Sequence, residues 1–117
     1  MPVRCEPPET NREVVKRWKK LMSFTPDLDE RAVLLGLLGQ PTRLRLVYAL
    51  EKIGEVCVCD LAEILGITQS AVSQHLAKLK AHGLVAVRRD AQTLYYRLSD
   101  RAELKALRRL GFEGIEP

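Results

Sequence analysis

No run of apolar residues in this chain of 117 approaches the ~20 that a membrane span needs. The opening residues, Met1-Pro2-Val3-Arg4-Cys5-Glu6, lack the apolar core of a signal peptide. A cytoplasmic protein with no membrane partner is therefore the expectation. Aromatic residues are scarce, at 5% against 46% hydrophobic residues in all. Leu, Val and Ala must then supply the core, which suits a small, mostly helical domain of modest core size. Cysteines number three. A disulfide framework would use an even number in an oxidising compartment, so metal binding, redox sensing or inert burial remain. There is no strong excess of charge of either sign. The net +4 fits a polyanionic partner without demanding one.

Hydrophobic spacing organises the rest. Residues 1–10, with three prolines, form an N-terminal arm. Asn11 to Met22 is helical by pattern, with Val14, Val15, Trp18, Leu21 and Met22 at three- and four-residue spacing. Asp27 or Asp29 caps a second helix ending at Gly39. Its dense apolar content, Ala32 to Leu35 with Leu37 and Leu38, implies a mostly buried helix. Pro41 opens a third, with Leu44, Leu46, Val47, Leu50 and Ile53 facing inward, and Gly54 stops it. Glu55 to Cys59 is a short connector. Asp60 and Glu63 have capping-box spacing, which starts a fourth helix near Cys59 or Asp60 and lets it run to Gly66. Thr68 caps a fifth, ended by Gly83. Residues 84–89 and 93–98 are β-rich runs flanking Asp90-Ala91-Gln92, a hairpin signal. A last helix runs from Arg101 to Leu110, and residues 111–117 form a C-terminal tail. The expected fold is mainly α with a small β-hairpin: a winged helix-turn-helix occupying residues 11–110.

The fourth and fifth helices carry the functional signal. Leu61, Ala62, Leu65, Ile67, Val72, Leu76 and Leu79 supply a shared core, and Gly66 permits the tight turn. The fifth helix then exposes Gln69, Ser70, Ser73, Gln74 and Lys78, hydroxyls and amides suited to base edges or phosphates in a major groove. His75 belongs either near DNA or at the helix junction, and the DNA-proximal reading is preferred. The basic clusters Lys16-Arg17-Lys19-Lys20 and Arg101-Lys105-Arg108-Arg109 read as solvated helix faces. Arg88 and Arg89 differ, because a basic β-wing after such a helix can straddle a phosphate backbone.

Cys57 and Cys59 stand just before this element. Thiols at i and i+2 lie about 200° apart in a regular helix, each residue turning ~100°. They converge only in extended backbone or at a helix start, where the dipole favours the metal-binding thiolate. Two thiolates make a weak site. Cys5, on the arm, is the only other thiol. The alternatives are small core residues or a redox pair, whose short disulfide ring would be strained. Nothing forms a Cys–His pair at catalytic spacing, so an enzyme such as a thiol oxidoreductase is disfavoured.

Gln40-Pro41-Thr42-Arg43-Leu44-Arg45-Leu46, Glu55-Val56-Cys57-Val58-Cys59-Asp60-Leu61, Ser70-Ala71-Val72-Ser73-Gln74-His75-Leu76, Leu84-Val85 and Tyr95-Tyr96-Arg97-Leu98 together resemble the ArsR/SmtB family of bacterial winged-helix repressors. The resemblance implies a homodimer, joined through its first and last helices, that holds double-stranded, palindromic operator DNA without any cofactor. A thiophilic inducer (cadmium, lead, zinc or arsenite) would then release it. Cys57 and Cys59 are similar to the family's thiolate pair, and Cys5 to the arm cysteine of the cadmium- and lead-sensing branch. The arsenic-sensing version often has a further cysteine where Ala62 stands here. The last-helix zinc site keeps Asp100, but Ala102 replaces a histidine and Glu113 stands near the second. The wing tip lacks the usual glycine, which implies a longer or stiffer turn. Cys57, Cys59 and Cys5 are thus the candidate ligands, and thiolates without histidine favour cadmium, lead or arsenite over zinc.

Overall fold

The computed structural model describes residues 9–101 together with 104, 105, 112 and 115. Among these residues five helices and three strands follow one another: α1 (Glu9–Met22), α2 (Pro26–Leu38), α3 (Pro41–Ile53), β1 (Val56–Cys57), α4 (Val58–Leu65), α5 (Gln69–Ala81), β2 (Val85–Asp90) and β3 (Thr93–Leu98). The expected last helix falls largely outside the described residues. The chain divides into two compact units, Met1–Val33 and Leu34–Pro117.

In the first unit α1 is strongly amphipathic. Val14, Val15, Trp18, Leu21 and Met22 line one side and are each about half exposed, while Lys16, Lys19 and Lys20 are exposed as well. α2 runs across the boundary at Val33 and departs from the expected burial. Leu34 and Leu38 are buried, but Val33 and Leu35 are 54% and 64% exposed. Apolar residues surround α2 instead of forming one stripe, so a single packed face covers only part of them.

The second unit holds the core. Gln40 caps α3, its side chain accepting the Arg43 N–H at 2.7 Å, and Pro41 occupies the first turn. Leu46, Val47 and Leu50 are 0–1% exposed. Ile53 is 55% exposed, not inward-facing, because it sits in the last turn where α3 leaves the core. α4 and α5 form the helix-turn-helix. Leu61, Val72, Leu76 and Leu79 are fully buried, Ala62 nearly so, and Leu65 and Ile67 pack against them. Gly66 makes the turn in the left-handed region (φ 67°), its N–H reaching the Ala62 and Glu63 carbonyls, a conformation that costs a side chain about 1 kcal/mol or more. Thr68 caps α5, accepting the Ala71 N–H at 3.1 Å.

The sheet has three strands, not the two of a simple hairpin, in the order β1-β3-β2, all antiparallel. β1 is only two residues long, with Val56 opposite Tyr96 and Cys57 opposite Tyr95. This pairing also resets α4. Cys57 is held extended (φ −81°, ψ 161°) and becomes the N-cap, so α4 starts at Val58. The expected capping box at Asp60 and Glu63 does not form, because Asp60 already lies inside the first turn. The wing turn is tight, not long: Asp90 pairs with Thr93 and Ala91 takes φ 55°. Glycine is preferred at the first position of such a turn. Ala91→Gly is therefore expected to stabilise the protein by up to about 1 kcal/mol, read as a rise in the urea midpoint.

Candidate thiol site and nucleic-acid interface

Cys57 ends β1 and Cys59 lies in the first turn of α4. The break between strand and helix turns the two side chains together, leaving Sγ and Sγ 3.1 Å apart. Two zinc–sulfur bonds of about 2.3 Å at a tetrahedral angle hold their sulfurs roughly 3.8 Å apart, so a zinc-sized ion needs the pair to part by roughly 0.7 Å and a larger ion by more. Cys57 is 8% exposed and Cys59 exposed, which places the pair at the surface with one wall in the core.

A third donor accompanies them. The Asp60 carboxylate and the two sulfurs all lie within 4.8 Å of one another. Sequence reasoning cast Asp60 as a helix cap and missed it as a candidate ligand; its place directly after Cys-x-Cys was the available signal. Cys5 lies outside the described residues.

The expectation that the helix start favours the Cys57 thiolate needs correction. The hydrogen bond with Cys59 pushes the Cys57 thiol above its ordinary range, with burial and Asp60 adding to it, against a backbone hydrogen bond at Asp60 that pulls it down. An incoming ion must displace that proton, so binding tightens as pH rises.

A cleft of about 410 Å³ opens beside Cys57, with Asp60, Ile53, Ile64 and Tyr95 among its walls. Glu55 stands at its edge and ties the site to the wing. Arg88 donates from Nη2 to Glu55 Oε1 at 2.6 Å and from Nε at 3.1 Å, and its guanidinium lies 4.8 Å from the Tyr95 ring centre. The Arg88 bond holds the Glu55 carboxyl below its ordinary value.

The nucleic-acid candidates lie elsewhere on the same unit. Gln69, Ser70, Ser73, Gln74 and Lys78 are all exposed on α5. His75 is half-buried, and burial, then Arg43 and Lys78, lower its pKa, which favours the neutral imidazole as a hydrogen-bonding group. Arg88 and Arg89 point to opposite faces of β2, as neighbours on a strand do. Arg88 is engaged at the wing base by Glu55, and Arg89 is exposed.

Residues 40–87 match the family described as bacterial regulatory protein, arsR family. The chain is 47% identical over 81 residues to the nodulation protein NolR of Rhizobium meliloti, covering 69% of this chain and 66% of that one. It is 33% identical over 96 residues to a homolog of the cadmium resistance transcriptional regulatory protein CadC in Staphylococcus aureus, covering 82% and 78%. Among solved structures, the transcriptional regulator HlyU from Vibrio vulnificus superposes with a TM-score of 0.66 at 37% identity, covering 78% of this chain and 93% of that one.

Proposed function

The chain belongs to the ArsR family of bacterial regulatory proteins, which are DNA-binding transcriptional regulators and not enzymes, and from that premise we propose that it is a homodimeric repressor releasing its operator when a thiophilic ion binds Cys57 and Cys59. The observation that carries this reading is the convergence of two thiols and the Asp60 carboxylate on the first turn of α4. That helix leads through Gly66 directly into α5. Cys57 is at once the helix cap and the strand partner of Tyr95, so drawing its sulfur toward an ion acts on α4 and the wing together.

Cadmium and lead suit two thiolates with a carboxylate, and zinc tolerates the same set. Arsenite requires a further thiol, for which Cys5 is the candidate. The cadmium-resistance name of one relative supports the ion class. The uncovered apolar side of α1 and the exposed Val33 and Leu35 of α2 support dimerisation, since large apolar side chains left in water favour burial against a partner. A dimer would place two copies of α5 on a palindromic duplex.

DNA reading rests on Gln69, Ser70, Ser73, Gln74, Lys78 and the wing, with His75 as a neutral donor or acceptor. Arg89 is the wing's phosphate contact in this reading. Arg89→Ala removes one phosphate contact from each protomer and should make the slope of log K against log salt shallower by about 1.8 for the dimer, about 0.9 per contact. Arg88→Ala should lower it less, because Glu55 competes for that guanidinium. Anisotropy over a range of salt concentrations measures both.

The test of the whole reading is operator binding followed by fluorescence anisotropy and titrated with Cd²⁺, Pb²⁺, Zn²⁺ and arsenite under reducing conditions. Release by at least one ion is expected. Binding indifferent to all four favours the second reading, a winged-helix regulator with structural or redox-active cysteines, for which the 3.1 Å sulfur separation is the motivating observation.

A further inference from the structure

The Arg88 side chain runs across the sheet. On β2 it lies opposite Tyr95 of the central strand β3, and Tyr95 in turn lies opposite Cys57 of β1. The guanidinium passes over the Tyr95 ring, 4.8 Å from its centre, and reaches Glu55 just before β1. Nη2 donates to Glu55 Oε1 at 2.6 Å, and Nε donates to Oε1 and Oε2 at 3.1 and 3.3 Å. Asp90 Oδ2 stands 3.9 Å from Nη1. Two carboxylates and an aromatic face thus surround one positive charge.

Such a clasp does little for stability, because 50% of the Arg88 side chain and 32% of the Glu55 side chain remain in water. Its consequence lies in where the charge is held. β2 is an edge strand, so a released Arg88 can swing round that edge toward a phosphate. From inside the clasp it would forfeit two carboxylates and a ring for that single contact. Each guanidinium that reaches a phosphate adds about 0.9 to the salt slope of DNA binding. Glu55 withholds one from each protomer.

We propose that Glu55 is a positioning residue that limits the protein's sequence-independent attraction to DNA, by holding Arg88 against Tyr95 and away from the phosphates. The proposal rests on the reading of the wing as a DNA contact. Phosphate contacts carry no sequence information, so Glu55 lowers affinity for every duplex alike and leaves base reading by α5 untouched. The lower baseline brings the DNA complex closer to the affinity at which a fixed effector factor releases it.

The test is fluorescence anisotropy of the full chain on a labelled duplex of mixed sequence. About 30 base pairs span two half-sites a helical turn apart, and salt runs from about 50 to about 200 mM. Glu55→Gln should tighten binding and steepen the slope of log K against log salt by up to about 1.8 for the dimer. Its gain over the parent should then shrink about tenfold across that salt range. Adding Arg88→Ala to Glu55→Gln should abolish the gain. Glu63→Gln removes the same charge from the cleft without touching Arg88, and should leave the slope at the parent's value. Tm of Glu55→Gln should stay within about 5 °C of the parent's. An unchanged slope in Glu55→Gln overturns the inference, and so does a gain that survives Arg88→Ala. If Arg89→Ala also leaves the slope unchanged, the reading of the wing as a DNA contact falls with it.

Discussion

Replacing Cys57 with serine is expected to raise the Cd²⁺ concentration needed for half-release of operator DNA by about a hundredfold or more. Structural zinc sites of four ligands are stabilised by about 10–16 kcal/mol, or roughly 3 kcal/mol per ligand, which is about two orders of magnitude in affinity. The fold should survive the change, because serine is close in size to cysteine and the site lies at the edge of the core. An 8% exposed hydroxyl beside Tyr95 costs about 1–3 kcal/mol at most if it finds no partner. Basal operator affinity should therefore remain while induction needs about a hundredfold more Cd²⁺. Cys59→Ser should do the same with less effect on stability, since Cys59 is exposed. Anisotropy titrations of the parent and the two variants give the comparison. A Cys57→Ser protein that still releases DNA at the parent's Cd²⁺ concentration would show that the pair is not the sensor.

Leu76→Ala should be the most damaging change to the folded state. Leu76 is 0% exposed and belongs to the core that joins α5 to Leu61 and Ala62 of α4. Large-to-small changes at such sites cost about 2–5 kcal/mol, through lost transfer energy and the cavity left behind. A loss of about 3 kcal/mol should lower Tm by more than about 10 °C. The adjacent exposed face provides a control. Gln74→Ala should move stability by less than about 0.5 kcal/mol while weakening operator binding by about 1–3 kcal/mol. Denaturant melts of both variants beside their DNA isotherms separate a residue that holds the reading helix from one that reads.

Local signals made most of this architecture legible. Pro41 with Gly54 and Thr68 with Gly83 bracket α3 and α5, because caps and breakers act within one turn of chain. The apolar spacing from Leu61 to Leu79 gave the shared core of the helix-turn-helix, and the β-rich runs around Asp90 gave the wing. What stayed hidden depends on partners distant in sequence. β1 is two residues long, too short for any alternation to show, and exists because Tyr95 and Tyr96 lie beside it. The same pairing shifts the start of α4 to Val58, against a capping-box spacing that would place it later. Arg88 and Arg89 look alike in sequence, but Glu55, 33 residues before Arg88, separates their roles. Asp60 appeared as a cap because its approach to both sulfurs follows from that shifted start. Ile53 fits an inward pattern, yet the end of α3 leaves it on the wall of the cleft.

The claim beneath all of this is that the thiol site and the reading helix share one equilibrium. The direct measurement is Cd²⁺ affinity of the reduced protein with and without saturating operator DNA, by competition with a metal chelator. Linkage requires DNA to weaken Cd²⁺ by the same factor that Cd²⁺ weakens DNA, typically about 5- to 150-fold. Equality of the two factors is the expected result. Cd²⁺ affinity unchanged by operator DNA would contradict it.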